Sequence, residues 1–317
     1  MIAHLFTLCA TLATIPAAPA LPWSDQALIA CTQETAAATP DDEDGEDERA
    51  TEWPVSDDEA AIKRSVSKLR KAANPEMEAG GRAEIVASGA AAAPFMLRSL
   101  GKERGEDARE RLTDALDSVT TAKHTRLLAK FFGNKSDAVR RYTMRRVAML
   151  GDPGLRETAE ELLTDLEVRA ADPKARKKVA EIDLDLAAIL CVGCGSQAGL
   201  ARVMTLAVPK QWIKWRSTLR PVAASARAAG DEIGRAIAGT LLGATDPSDR
   251  VAALNLLAYA GDDHLSRAVR PSLDAEENHV KVAAINALRM MVDGDPPLDR
   301  LSTFDAIERA NKWKSRL

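Results

Sequence analysis

Several residue patterns that carry enzyme chemistry are missing from this sequence of 317 residues. It has no Gly-x-x-x-x-Gly-Lys-Ser/Thr string and no dinucleotide fingerprint between a strand and a helix, so the common phosphate-binding loops are excluded. His124, His264 and His279 each stand alone, and no Ser/His/Asp or Cys/His set can be read from their spacing. The sequence therefore predicts a protein that is not an enzyme, and it implies no metal or organic cofactor.

Aromatic residues are scarce, and the signals of β-structure are missing. Phe, Trp and Tyr make up 4% of the chain, whereas alanine is abundant. Such a composition suits close packing between helices. No stretch of alternating β-branched residues is bounded by turns. These features predict an all-α protein.

One helical pattern occurs three times. Its copies are VRRYTMRRVAMLGD (139–152), DRVAALNLLAYAGD (249–262) and VKVAAINALRMMVD (280–293), which start 110 and then 31 residues apart. A spacing near 31 residues is the length of one helical hairpin and indicates a repeat array. Apolar residues recur at helical spacing, so one face of each copy is predicted to be buried. The matched inward positions are Tyr142, Ala252 and Ala283; Met144, Leu254 and Ile285; and Val147, Leu257 and Leu288.

Local signals predict where these helices begin and end. A side-chain oxygen stands just before each copy and is suited to capping the first turn; these residues are Ser136, Asp246 and Asn278. Gly151 and Gly261 follow two of the copies and are expected to stop the helix in a left-handed conformation. Further helices are predicted to begin at Pro75, to run from Glu106 to Ser118, and to run from Pro173 to Cys191.

The pattern resembles the HEAT-repeat family, whose second helix typically begins with Asp and Val-Arg and ends in Gly-Asp. The matching residues here are Asp137–Arg140 and Gly151-Asp152, and Gly89, Pro94, Leu97 and Leu100 are similar to the first helix of the family. The resemblance implies an α–α superhelix, a HEAT-like (armadillo-like) solenoid of about seven helical hairpins over residues 59–317. It brings no catalytic residue with it.

The first 31 residues carry two processing signals. Residues 1–22 lack Asp, Glu, Lys and Arg and reach Ala18-Pro19-Ala20, which predicts a signal peptide over residues 1–20 and export to the periplasm or the extracellular space. Leu28-Ile29-Ala30-Cys31 matches a lipobox. The alternative is therefore a lipoprotein tethered to a membrane through acylated Cys31, and an incidental thiol is the simpler interpretation.

The next segment is strongly acidic. Residues 21–58 include TPDDEDGEDERATEWPVSDD and contain few aliphatic residues, so we predict a disordered linker. Residues 1–60 have 13 acidic residues and one arginine, whereas residues 61–317 have a net charge of +8. An acidic arm thus precedes a basic body.

Cys191 and Cys194 form a CxxC motif at the end of an apolar helix. Redox CxxC pairs use a helix N-terminus to lower the thiol pKa, and zinc needs more ligands than this chain supplies nearby. The motif predicts either two small packed residues or a local disulfide.

Two basic clusters are candidate partner-binding sites. Arg141 and Arg145 are one helical turn apart, while Arg140 is expected to pair with Asp137. Asp183, Asp185 and the pair Glu160-Glu161 are expected on solvent-exposed helix faces. The second cluster interleaves cations and tryptophans, a pattern that can hold a polyanion. The favoured interpretation is that both tryptophans fill the core while the cations are solvated. The cluster comprises Lys210, Trp212, Lys214, Trp215, Arg216 and Arg220.

Three functions follow from these patterns. The leading hypothesis is a non-enzymatic scaffold that binds a protein or peptide on the concave face of an exported solenoid. The alternative is a solenoid that binds nucleic acid or another polyanion, with the acidic arm as its autoinhibitor. A HEAT-like lyase, related to the phycobilin lyases, ranks lowest because only the repeat supports it.

Overall fold

The described part of the chain is all-helical. A computed structural model describes residues 49–174, 179–298 and 300–317, and these contain no β-strand. Its α-helices are, in chain order, α1 Glu59–Arg70, α2 Pro75–Ser88, α3 Ala93–Leu100, α4 Glu106–Val119, α5 Thr125–Ala129, α6 Asp137–Leu150, α7 Arg156–Ala171, α8 Glu181–Gly193, α9 Leu200–Ala207, α10 Pro209–Ala228, α11 Glu232–Gly243, α12 Pro247–Ala260, α13 Ser266–Val269, α14 Asn278–Leu288 and α15 Thr303–Arg316.

Local chemistry sets many of the helix starts. The Asn74 side chain accepts a hydrogen bond from Met77 N–H, and Pro75 takes the first helical position, where its missing N–H has no cost. Asp246 caps α12 in the same way, with Pro247 next in the chain. Ser302 caps α15 through Asp305 N–H. The sequence predictions for the starts at Pro75 and Glu106 are confirmed.

The repeat register is visible in the core. Met144, Leu254 and Ile285 are fully buried, and so are Val147, Leu257 and Leu288. Their helices pack in succession, since α6 packs against α8, α10 against α12, and α12 against α14. Each buried aliphatic side chain of this size contributes about 1.5–3 kcal/mol relative to exposure. These six matched residues therefore lie in one continuous hydrophobic core, whereas Ala283, predicted to point inward with Tyr142 and Ala252, is only partly buried.

The packing of α8 relies on small residues. At Gly193, the last residue of α8, an added Cβ would lie 2.2 Å from the carbonyl oxygen of Ala148 in α6. A Cβ added at Gly199 would likewise lie 2.2 Å from the carbonyl oxygen of Ala188. Alanine and glycine thus allow direct contact between backbones, as the alanine-rich composition suggests.

Residues 49–53 contact the helical body, although they fall within the predicted linker. Arg49 forms an ion pair with the fully buried Asp152, and Ala50 N–H donates to the carbonyl of Lys123 at 2.8 Å. The Trp53 ring stacks on His124 with a centroid distance of 5.6 Å. This end of the predicted linker is therefore attached to the helical body through Arg49, Ala50 and Trp53.

Other local predictions were wrong. The helix expected from Pro173 begins at Glu181 instead, since a start at Pro173 would place the cations of KARKK near the positive helix end. Gly261 has φ −90°. Glycine is favoured there by space, because an added Cβ would lie 2.8 Å from the backbone carbonyl oxygen of Leu257. Asn278 is the first residue of α14, not its cap, and its buried Oδ1 has no hydrogen-bond partner.

Three predicted features lie wholly or largely outside the described residues. These are the signal peptide at residues 1–20, the lipobox cysteine Cys31, and the disordered linker as far as residue 48. Among the helices that the structure describes, none combines the length and the apolar character needed to span a bilayer.

Candidate functional site

Helix α6 carries the arginines of the first predicted cluster and ends at a sharp stop. Gly151 follows it with φ +70°, as predicted, in a region that side-chain-bearing residues rarely adopt. Ser136 precedes the helix, but its side chain makes no capping hydrogen bond, so this part of the prediction was wrong. Within the first turn, the carboxylate of Asp137 accepts a hydrogen bond from the Arg140 side chain at 2.9 Å, as predicted.

A buried carboxylate fixes the two arginines at the start of α6. Asp183 in α8 accepts from Arg140 Nη2 at 2.7 Å and from Arg141 Nε at 2.6 Å. Asp183 is only 3% exposed, so its predicted place on a solvent-exposed face was wrong. Burial would raise the pKa of Asp183, but the hydrogen bonds from Arg141 and Arg140 outweigh burial and hold it below its ordinary value. The carboxylate therefore stays ionised and orients both guanidinium groups.

Beside these arginines lies an open groove of about 680 Å³ between α4 and α6. Four cations face it, Arg109 from α4, Lys135, and Arg141 and Arg145 from α6. We call this surface the basic groove. Among the described residues that line it, the one carboxylate is that of Asp137, which is already shared with Arg140 and Arg141. The other lining residues are Leu100, Thr113, Ser136, Ala138 and Tyr142.

The cations of the basic groove retain capacity for an anion. Lys135 is exposed and makes no hydrogen bond or ion pair within the described residues. Arg145 lies over the Tyr142 ring at 6.0 Å, its Nη2 is 3.7 Å from Asp117, and its buried Nε has no partner. Arg109 uses Nε on the carbonyl of Glu103. The groove thus presents more donors than the chain itself satisfies.

The wall behind the groove is a buried polar network. Tyr142 donates from its hydroxyl to Asp117 Oδ1 at 3.1 Å, and Arg146 donates to the carbonyl of Asp117 at 2.6 Å. Burial, followed by the charge of Asp117, raises the pKa of Tyr142 above its ordinary value. The tyrosine is therefore neutral and fixed near neutral pH, so it supplies shape to the groove rather than acid–base chemistry.

No family model, curated protein or solved structure matches this chain. Its site is therefore interpreted from its own residues. In the parts of the chain that are described, no three His, Cys, Asp or Glu side chains lie close enough to hold a metal ion.

The second predicted cluster lies on α10 and is divided between core and surface. Trp215 is 6% exposed and belongs to the core, and Trp212 is half-buried against it. Arg220 lies over the Tyr259 ring at 5.5 Å. Lys210, Lys214 and Arg216 are exposed and form no ion pair within the described residues. None of these residues lines the basic groove, so the two clusters are separate surfaces.

Cys191 and Cys194 are free, buried thiols. Both side chains pack into the core in this structure, and the disulfide between them stays a prediction. Cys191 lies near the carboxyl end of α8 and Cys194 just beyond it, where the helix dipole disfavours a thiolate. Burial raises the pKa of each thiol to about 12.

We expect both thiols to resist alkylation in the folded protein. A thiol with a pKa near 12 has about a thousandfold less thiolate at pH 8 than a free cysteine, and the thiolate is the reactive form. Peptide mapping after iodoacetamide treatment, with and without urea, would show modification only in urea. Rapid native modification of Cys191 and Cys194 would contradict their burial.

Proposed function

We propose that this chain is a non-enzymatic interaction scaffold of the α–α superhelix type, and that its basic groove binds an acidic segment of a protein or peptide. The observation that carries the proposal is the set of four cations around an open groove of about 680 Å³ whose single carboxylate is already paired. Ligand sites commonly have volumes of this order, about 300–1,000 Å³.

The repeat architecture supports a scaffold. Met144, Leu254 and Ile285, which match one another in the three copies of the sequence pattern, are fully buried, and the helices α6, α8, α10, α12 and α14 pack against one another in succession. Helical repeats arranged in this way use exposed surfaces between units for binding. The fold alone does not define a function, so the chemistry of the groove is the stronger support.

An acidic peptide fits the groove better than a nucleic acid does. Protein carboxylates match guanidinium and ammonium donors through charge-assisted hydrogen bonds. Nonspecific single-strand binding also needs exposed aromatic rings for base stacking, whereas Tyr142, the aromatic residue that lines the groove, is buried. Binding of a polyanion therefore stands as the second candidate, and a lyase activity gains no support from the site.

We expect an oligoglutamate peptide to bind the full chain and to lose at least tenfold in affinity to a Lys135→Gln/Arg145→Gln variant. Hydrogen bonds to charged groups contribute about 1.5–3 kcal/mol each, and about 1.4 kcal/mol corresponds to a factor of ten. Fluorescence anisotropy with labelled oligoglutamate would measure the change, and affinity should fall as salt rises.

A matched variant removes the same charge elsewhere. Lys63→Gln/Lys312→Gln neutralises two exposed lysines of α1 and α15 and should leave affinity unchanged. Equal losses in both variants would indicate a general charge effect, and unchanged affinity in the groove variant would exclude this groove. Oligoglutamine that binds as well as oligoglutamate would end the proposal.

A further inference from the structure

The first half of α10 presents a basic surface that the proposed groove does not use. Lys210, Ile213, Lys214 and Arg216 are all exposed there, and we call these four residues the α10 patch. Ile213 is 77% exposed, although it is a large aliphatic residue. The underside of the same helix packs into the core through Trp215 and Leu219. The patch is thus an outward face held on a fixed helix.

Helical spacing places the patch on one side of α10. Lys210, Ile213 and Lys214 stand at positions i, i+3 and i+4, so their side chains are neighbours, and Arg216 lies at the border of this face. The aliphatic side chain of Ile213 therefore projects from a ring of cations. Trp212, half-buried against the core, lies on the same half of the helix.

The charges of the patch are only partly compensated within the protein, where Lys214 lies over the Trp215 ring at 5.2 Å from its centroid. Two lysines at i, i+4 repel each other, and Lys210 stands in the first turn, where the helix dipole disfavours a cation. The sequence has no Asp or Glu from residue 186 to residue 230, and the exposed cations of the patch form no ion pair within the described residues. A negatively charged surface would reduce both the repulsion between Lys210 and Lys214 and the unfavourable interaction of Lys210 with the helix dipole.

The projecting isoleucine distinguishes between two kinds of anionic surface. A single-stranded nucleic acid needs open aromatic faces, but Trp215 is buried and Trp212 is packed against the core. A membrane of anionic lipids offers phosphates to the cations and, just beneath them, an apolar layer for an aliphatic side chain. Cations around an exposed aliphatic residue match the second surface.

We propose that the α10 patch binds the surface of a membrane that contains anionic lipids, with Lys210, Lys214 and Arg216 on the headgroups and Ile213 inserted between them. This binding is independent of the basic groove. It is also independent of acylation at Cys31, because the patch belongs to the folded helical body.

The decisive test reports on position 213 itself. The full chain with Cys9→Ser and Cys31→Ser receives an environment-sensitive dye at Ile213→Cys, or at Val168→Cys in a matched control. Val168 is 65% exposed on α7, and Cys191 and Cys194 are buried. We expect a blue shift from the dye at 213 on phosphatidylcholine vesicles that contain phosphatidylglycerol, and no shift on phosphatidylcholine alone or from the dye at 168.

Charge removal provides the second measurement. Each basic residue near an anionic membrane strengthens binding about fivefold, so Lys210→Gln/Lys214→Gln/Arg216→Gln should weaken the vesicle response about a hundredfold. A control variant, Lys63→Gln/Arg169→Gln/Lys312→Gln, removes three exposed cations that are paired on other helices and should retain it.

Three results would overturn the proposal. One is the absence of a blue shift from the dye at position 213 although the protein sediments with the vesicles, since the protein would then attach through another surface. Another is a vesicle response that survives the triple substitution. The third is tight binding of a single-stranded oligonucleotide that requires the same three cations, without any response to vesicles.

Discussion

Replacing Gly193 with alanine is expected to lower the free energy of unfolding by about 3 kcal/mol or more. The new Cβ would lie 2.2 Å from Ala148 O and 2.8 Å from Ala148 C and Cα, distances that no real contact allows. The obstacle is the backbone of α6, so no side-chain rotation can relieve it. Overpacking of a core typically costs about 1–3 kcal/mol, and more where the backbone must shift. Urea denaturation followed by circular dichroism would measure the loss.

Gly239 provides the matched control for this substitution. It lies within α11, and a Cβ added there meets nothing within 4 Å. Alanine has the higher helix propensity by up to about 1 kcal/mol, so Gly239→Ala should stabilise the protein slightly. Opposite shifts of the two urea midpoints are the expected result. If both variants were stabilised, α6 and α8 could not be in backbone contact at Gly193.

The sequence predicted the elements that depend on neighbouring residues. A proline indicated the start of α2 at Pro75, and the repeated apolar positions identified Met144, Leu254 and Ile285 as core. These signals act over one or two helical turns, so one sequence is enough to read them. Arg140 was also assigned correctly to Asp137, because the two are in the same turn of α6.

The sequence did not predict contacts between distant segments. Asp183 was expected in solvent, yet it lies under α6, which is 43 residues away at Arg140. The available signal was a carboxylate set between Ile182 and Leu184 at the start of an apolar helix, since a charge at such a position needs a buried partner. Trp53 was missed for the same reason. It contacts His124, and nothing near it in the sequence indicates that contact.

In the basic groove, too, the residues on one helix were predicted from the sequence and those from other segments were not. Arg141 and Arg145 share a helix face, so spacing identified them as candidates. Arg109 and Lys135 were missed, because they join the groove from α4 and from the segment before α6. Conversely, the cluster at Lys210–Arg220 was one feature in the sequence, and the structure separates its tryptophans from its exposed cations. Which charges act together is set by helix packing, which the local pattern does not contain.

Replacing Asp183 with alanine is the second change with a large expected effect, a loss of about 3 kcal/mol in the free energy of unfolding. Its two oxygens accept from Arg140 and Arg141 at 2.7 and 2.6 Å. Removing one member of a buried ion pair costs about 3–5 kcal/mol, because the remaining charge is left without compensation. The lower end applies here, since the side chains of Arg140 and Arg141 are 19% and 32% exposed and can turn partly to solvent.

Asp137 offers the control for this substitution. It pairs with the same two arginines, but its side chain is 61% exposed, so Asp137→Ala should cost less than about 1 kcal/mol. Equal losses in the two variants would show that burial of Asp183 is not what makes its ion pairs strong.

The pH dependence of Asp183 has a defined sign. Its pKa in the folded protein lies below the ordinary value of 3.8, so the unfolded chain binds the proton more readily. The stabilisation is therefore complete above about pH 4 and is lost as the pH falls through the lower, folded value. The difference in unfolding free energy between the wild type and Asp183→Asn should be constant from pH 7 to about pH 5 and should shrink in more acidic solution. A difference that instead grew on acidification would mean that the carboxyl group is protonated in the fold, and that the two arginines are held by something else.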